Sequence, residues 1–289
     1  MQQLQHRPLI MGIINVTPDS FHTASRIYYN ESTRTMAEWK AAVADRARAI
    51  VHAGGAIVDV GACSTRPGAE AIDAAEEMRR LRVALPVVRA AVPGAVVSVD
   101  TYRADVARMA VEELGADMVN DVGGGTLDDA MLPTVARLGV PYVLTHMRGT
   151  PATMQAQTDY TAEGGVFPAV CHALCRGVER LLDLGAERRN IIVDPGYGFA
   201  KTLEQNYALL ARQAELKRAV GCALLVGVSR KSMVTRLLGI DASEALNATT
   251  VLHTLALMQG ADILRVHDVR EAVEAVRIVR ALNDVTITS

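Results

Sequence analysis

The sequence predicts a TIM barrel, a closed α/β (β/α)8 fold, and three observations carry that expectation. Eight short apolar, β-branched runs alternate with longer stretches of helical period along 289 residues. The runs are apolar on both faces, as strands of a parallel sheet covered by helices must be. Each run also stops in a polar residue, and in a parallel barrel all such ends lie on one face. An open doubly wound sheet is the alternative. Its dinucleotide-binding version lacks its phosphate turn, because no Gly-x-Gly-x-x-Gly follows the first run. The whole chain, 1–289, reads as one domain, with no linker or low-complexity tract breaking the alternation.

In order, the first expected strand, Leu9–Val16, passes through Asn15 and opens a long polar connection to about Arg34, ahead of a helix Met36–Ala53. Strand Ile57–Gly61 carries Asp59 and is followed by helix Ala74–Val92. Val96–Asp100 leads to Arg103–Leu114, and Met118–Val122, with Asn120 and Asp121, leads to Asp128–Leu138. Tyr142–His146 precedes helix Val166–Leu184, and Ile191–Pro195, holding Asp194, precedes Leu203–Lys217. Ala223–Ser229 is followed by Lys231–Leu238 and Glu244–Gln259; Ile263–Asp268 is followed by Val269–Leu282. Glycine directly follows several of these helices, as at Gly139 and Gly239, where a residue without Cβ suits the left-handed turn that ends a helix.

Composition narrows the function. Half the residues are hydrophobic (50%), 21% are charged and the formal net charge is −2, so a core is affordable and no basic field exists to hold a nucleic-acid backbone. Met1–Pro8 lacks the basic-then-apolar form of a secretion signal, and no apolar run approaches a membrane span. A cytoplasmic location is the expectation. Cys63, Cys171, Cys175 and Cys222 form no CxxC pair and read as free thiols rather than a metal site or a disulfide framework.

A single strand-end Asp or Ser usually only caps the next helix. A full set of them argues for a site. Arg265 and His267, two apart on the last strand, point to one side and sit where barrels often bind phosphate, so they read as an anion pair. The alternative is an ion-pair network with Asp268 or Asp262. Three loops add chemistry. Asn15–Phe21 opens a segment long enough to be a functional lid. Ser64-Thr-Arg-Pro-Gly68 presents Arg66, suited to a phosphate or carboxylate, although a Pro-Gly turn more often carries a solvated arginine. Ser229-Arg-Lys-Ser232 presents Lys231, which beside Asp194 can bind a polarised carbonyl or else be a surface charge. Asp100, Asn120, Asp194 and Lys231 together offer the donors and acceptors needed to read a planar heterocycle, and Phe199 can stack on a ring or cover the core. Asp59 and Asp121 are expected to hold loops by accepting from backbone amides.

At these residues the chain resembles the dihydropteroate synthase family. The matching segments are Met11-Gly-Ile-Ile-Asn-Val-Thr-Pro-Asp-Ser-Phe21, Ser64-Thr-Arg-Pro-Gly68, Ser98-Val-Asp-Thr101, Asn120-Asp121, His146-Met147, Asp194-Pro-Gly-Tyr-Gly-Phe199, Ser229-Arg-Lys-Ser232 and Arg265-Val-His-Asp-Val269. They occur in the family's order and span essentially the whole chain. The resemblance implies an enzyme, usually a homodimer, that joins para-aminobenzoate to 6-hydroxymethyl-7,8-dihydropterin pyrophosphate in folate synthesis. It implies Asp100, Asn120, Asp194 and Lys231 as pterin ligands, with Asp100, Asp194 and Lys231 closest to the chemistry. It implies Asn15 as a Mg²⁺ ligand beside the pyrophosphate, and Arg66, Arg265 and His267 as contacts to that anion. Thr65, Pro67, Phe199 and Ser232 would shape the para-aminobenzoate pocket, where sulfonamides compete.

Three departures from the family pattern stand out. His22-Thr-Ala-Ser25 replaces Ser-Asp-Gly-Gly after Phe21, Cys63 replaces a glutamate, and Thr145 replaces a methionine of the pterin floor. Ala200 also replaces a glycine before Lys201 and reads as tolerated. A corrinoid methyltransferase barrel and a catalytically silent pterin-binding relative are the rival readings. The Ser-Thr-Arg-Pro-Gly and Ser-Arg-Lys-Ser segments disfavour the first, and the presence of Asn15, Lys231 and Arg265 disfavours the second. A phosphosugar isomerase shares only the fold. Lys231→Ala and Arg265→Ala are both expected to impair turnover while leaving the barrel folded.

Overall fold

The structure, a computed structural model, describes residues 7–17, 35–64 and 72–288. Eight strands run β1 (Leu9–Asn15), β2 (Ile57–Gly61), β3 (Val96–Asp100), β4 (Met118–Asp121), β5 (Tyr142–Thr145), β6 (Ile191–Asp194), β7 (Ala223–Val226) and β8 (Ile263–Val266). Every neighbouring pair is parallel, and β8 returns to β1, so the sheet closes as the sequence predicts. The helices are α1 (Met36–His52), α2 (Ala74–Ala91), α3 (Ala104–Glu112), α4 (Met131–Leu138), α5 (Val166–Asp183), α6 (Leu203–Ala211), α7 (Gln213–Val220), α8 (Ser232–Leu238), α9 (Leu246–Met258) and α10 (Val269–Thr288).

Strand alternation divides the apolar residues into two cores. Outward-facing Ile10, Val58, Val99, Leu144, Val193, Leu264 and their neighbours pack against the helices in one continuous cluster. Inward-facing Met11, Ile57, Met118, Val143, Ile192, Leu225 and Ile263 form a separate floor inside the barrel. Each fully buried side chain of this kind stabilises by about 1.5–3 kcal/mol relative to exposure. That floor plugs the lower lumen, so a ligand can enter only from the end where the strands finish.

Among the boundaries that differ from expectation, three have a visible physical cause. The helix expected at Leu203–Lys217 divides at Arg212, whose φ of −112° and ψ of 16° leave the helical region. The break redirects the chain so that Leu209 and Leu210 before it and Leu216 and Val220 after it all reach the core. Arg212 holds the joint, stacking 3.5 Å over the Phe167 ring and pairing with Glu215 at 2.7 Å. The helix expected from Asp128 begins only at Met131, because the Asp128 carboxylate instead accepts from Ala104 N (2.7 Å) and Ala130 N (3.0 Å). Finally, His146, Ser229 and His267 lie just past their strands rather than inside them. Their groups bond across loops: His146 N donates to Asp194 O (2.9 Å), and His267 N donates to Ser229 Oγ (3.2 Å).

Candidate active site

The site follows from counting along each strand by twos. Two residues above the apolar floor, the inward positions become Asp59, Asn120, Thr145, Asp194, Gly227 and Arg265, while Ile13 keeps β1 apolar for one more step. The next inward positions include Asn15, Gly61 and His267. β3 contributes Ser98 and Asp100, with Ser98 level with Asp59 and Met118 and Asp100 level with Gly61 and Asn120. A cavity of about 370 Å³ opens above this layer, lined by Asn15, Asp100, Asn120, Asp194, Phe199, Lys231, Ser232, Arg265 and His267. Nine residues singled out in the sequence therefore meet in one place. Thr65, Arg66, Pro67 and the lid beyond Phe21 lie outside the described residues.

Arg265 organises one wall. Its Nε donates to Asp59 Oδ2 (2.7 Å) and its Nη2 to Asp100 Oδ2 (2.6 Å). The same Asp59 oxygen accepts from Asn120 Nδ2 (3.0 Å). This corrects one expectation and excludes one alternative. Asp59 binds side chains inside the lumen rather than a loop amide, because its place on β2 points it inward. Arg265 pairs with Asp59 and Asp100 rather than Asp262 or Asp268. Those two serve other cations: Lys217 holds Asp262 (2.7 Å), and Arg230 holds Asp268 through two bonds (2.8 and 2.9 Å). Burial disfavours the Arg265 charge, but Asp59 and Asp100 hold its pKa above the usual arginine value. Burial also pushes the Asp100 carboxyl up to about 7, against the pull of Arg265.

The opposite wall is built by the loop after β6. Asp194 Oδ1 accepts from Gly196 N (2.7 Å), and burial raises its pKa against the attraction of Lys231. Burial lowers Lys231 to about 8, with Asp194 opposing. Lys231 Nζ donates to Tyr197 O (2.7 Å) and lies 4.3 Å over the Phe199 ring. Gly227 keeps the space between Lys231 and Asp194 open: a Cβ there would be 3.8 Å from Nζ and 3.9 Å from Asp194 Oδ2. Arg230 adopts φ of 54° and turns away to Asp268, so the two cations of the Arg-Lys pair face opposite directions. Asp121 does hold its loop as expected, accepting from Gly123 N and Gly125 N (both 2.7 Å) and from Tyr142 OH (2.7 Å).

Lys201 is the residue the sequence reading passed over. Its fully desolvated ammonium contacts His146 Nδ1 (3.0 Å) and donates to Gly196 O (2.9 Å) and Phe199 O (3.0 Å). Burial drops its pKa to about 7 and drops that of His146 to about 2, so the imidazole is neutral. Lys201 thus ties down the loop carrying Phe199. Gly196 is fixed too: at φ of 69°, a Cβ would stand 2.0 Å from His146 O. A lysine directly after a glycine-rich turn was the available signal; nothing local distinguished it from a surface charge.

The fold and mouth define an α/β-barrel enzyme that holds a planar polar ligand beside an anion. Residues 11–267 match the family of pterin binding enzymes. The chain is 39% identical over 276 residues to dihydropteroate synthase of Escherichia coli, covering 95% of this chain and 91% of that one. It is 38% identical over 279 residues to the folic acid synthesis protein fol1 of Schizosaccharomyces pombe, but spans only 36% of that longer protein. Its structure superposes on Yersinia pestis dihydropteroate synthase in a sulfonamide drug complex with a TM-score of 0.83 and 36% identity, over 96% of this chain and 95% of that one. The chain belongs to the pterin-binding enzymes and, among them, to the dihydropteroate synthase family. Among the described residues no helix is long and apolar enough to cross a membrane.

Proposed function

We propose that this chain, acting as one domain, condenses para-aminobenzoate with 6-hydroxymethyl-7,8-dihydropterin pyrophosphate to give 7,8-dihydropteroate and pyrophosphate. The observation that carries the reading is the meeting of Asp100, Asn120, Asp194 and Lys231 with Arg265 and His267 around one cavity. The first four offer carboxylate, amide and ammonium groups to the edges of the pterin, and Lys231 with Phe199 forms the boundary with the para-aminobenzoate pocket. Thr65, Pro67 and Ser232 complete that pocket, and sulfonamides compete for it. Arg265, His267 and Arg66 take the pyrophosphate.

The reaction is a dissociative substitution. The bond between the exocyclic methylene carbon and the pyrophosphate oxygen breaks, and its electron pair leaves with pyrophosphate. Arg265 and His267 stabilise the charge that develops there. Asp100 and Asp194 face the electron-poor pterin cation. The arylamine lone pair then forms the new C–N bond, and its extra proton is lost to solvent at the open mouth. No nucleophilic side chain is needed.

Mg²⁺ fits the residues present. Asn15 Oδ1 and Asp100 Oδ2 converge on Gly61, lying 3.3 and 3.5 Å from the point where a Cβ would be. Among the described residues no cluster of three or more His, Cys, Asp or Glu forms a full protein cage. A hard cation held by Asn15 and mainly by substrate oxygens matches that donor set, and it would supply charge neutralisation on the leaving group.

The enzyme works in the cytoplasm as a homodimer in this reading. Val251, Leu255 and Met258 on α9 and Ile278 and Leu282 on α10 are exposed apolar side chains, at helical spacing within each helix, that a second copy can cover. Sedimentation should give twice the chain mass, and a monomer at micromolar concentration would refute the dimer.

The activity itself is tested by mixing protein, pterin pyrophosphate, Mg²⁺ and para-aminobenzoate. Dihydropteroate and pyrophosphate should appear in equal amounts. No product where a control synthase turns over would defeat the reading.

A further inference from the structure

Thr145 ends β5 and points into the lumen, one inward step above the floor residue Val143. Its side chain lines the cavity. β5 lies between β4 and β6; Thr145 is level with Asp194 in the register, and Asn120 is level with Val143, one inward step below. Its backbone is held firmly. Gly124, at φ of 55°, packs so closely that a Cβ there would be 2.1 Å from Thr145 O. The residue is nearly inaccessible, yet among the described residues no hydrogen bond engages its hydroxyl. Neighbouring polar groups of the same layer are committed elsewhere: Asn120 Nδ2 to Asp59, and Asp194 Oδ1 to Gly196 N.

We propose that Thr145 is a specificity-determining residue that makes a hydrogen bond of its own to the heterocycle edge lying between Asn120 and Asp194. The inference rests on the synthase reading above and adds one side-chain contact to its pterin. A planar ring filling this cavity expels water from the hydroxyl, and a hydroxyl dried without a partner is costly. The site therefore favours a ring edge that gives the hydroxyl a nitrogen or oxygen partner, as the amino group and ring nitrogens of the pterin do. It disfavours a ring with only C–H there. Discrimination by a lost buried hydrogen bond exceeds what shape alone provides.

The test compares wild type with Thr145→Val, which keeps the shape and removes the hydroxyl, and Thr145→Ser, which keeps the hydroxyl. Steady-state kinetics are measured for both substrates, and calorimetry measures 6-hydroxymethylpterin binding alone. Thr145→Val should raise KM for the pterin pyrophosphate and Kd for the pterin by about tenfold, with KM for para-aminobenzoate unchanged. Thr145→Ser should bind pterin within about threefold of wild type. Equal pterin affinity in wild type and Thr145→Val, with both folded by thermal melting, would overturn the proposal. Turnover by wild type in the same assay tests the synthase reading separately, so failure of one is distinguishable from failure of the other.

Discussion

Asp59 and Arg265, 206 residues apart in the chain, meet at 2.7 Å inside the barrel, joining β2 to β8 across β1. Asp59 is fully buried and its second oxygen, Oδ1, has no hydrogen-bond partner among the described residues. Its charge therefore depends on Arg265 and on the Asn120 amide. The arginine that contacts the leaving group in the proposed mechanism is also the counter-ion that keeps a lumen carboxylate tolerable.

That dual role changes one expectation from the sequence. Arg265→Ala should not leave the barrel simply folded and inactive. Removing one partner of a buried pair strands the other, at a cost of about 3 kcal/mol. Urea unfolding should show that loss. The double variant Arg265→Ala/Asp59→Asn should recover part of it while remaining inactive. Equal stability of Arg265→Ala and wild type would show that Asp59 is not held by this pair.

The pH profile follows from the two walls. Asp100 is pushed up to about 7 and Lys231 down to about 8. As pH falls through 7, Asp100 takes a proton and loses its charge. As pH rises through 8, Lys231 gives one up. The form with both charges is most populated between these values, so kcat/KM should be bell-shaped, with limbs approaching about one log unit per pH unit. The acid limb should vanish in Asp100→Asn, whose maximum is also lower. A profile flat from about pH 6 to 9 would contradict the assignment of both groups.

Lys201 gives a third prediction. It holds Phe199 O and Gly196 O, so Lys201→Met should raise KM for para-aminobenzoate about tenfold with little change in KM for the pterin. The stability effect has a definite sign. The folded-state pKa of about 7 lies below the ordinary lysine value near 10.4, so the unfolded chain binds the extra proton between them. Wild type should therefore gain stability relative to Lys201→Met as pH rises from about 7 to about 10. A pH-independent difference would show that Lys201 keeps its proton in the fold.

The barrel and the outline of the site were legible in the sequence because period-two burial and polar strand ends are local signals. Arg265 and His267 could be placed on one side by counting alone. What could not be read were partners across the lumen. Whether Arg265 meets Asp59 or Asp262 depends on strand tilt and stagger, which no local pattern encodes. The break at Arg212 was hidden for a similar reason: the apolar pattern suits one helix, and only the position of the core requires two axes. Lys201 looked like any lysine until the turn folded over it.

Equilibrium binding of the two half-ligands tests the divided site most directly. Calorimetry would measure Mg²⁺ pyrophosphate and 6-hydroxymethylpterin against wild type, His267→Ala and Lys231→Ala. His267→Ala should weaken pyrophosphate about tenfold and leave pterin within about twofold of wild type, whereas Lys231→Ala should weaken pterin selectively. If each substitution weakened both ligands equally, the mouth of the barrel would not be divided between pterin and pyrophosphate as described.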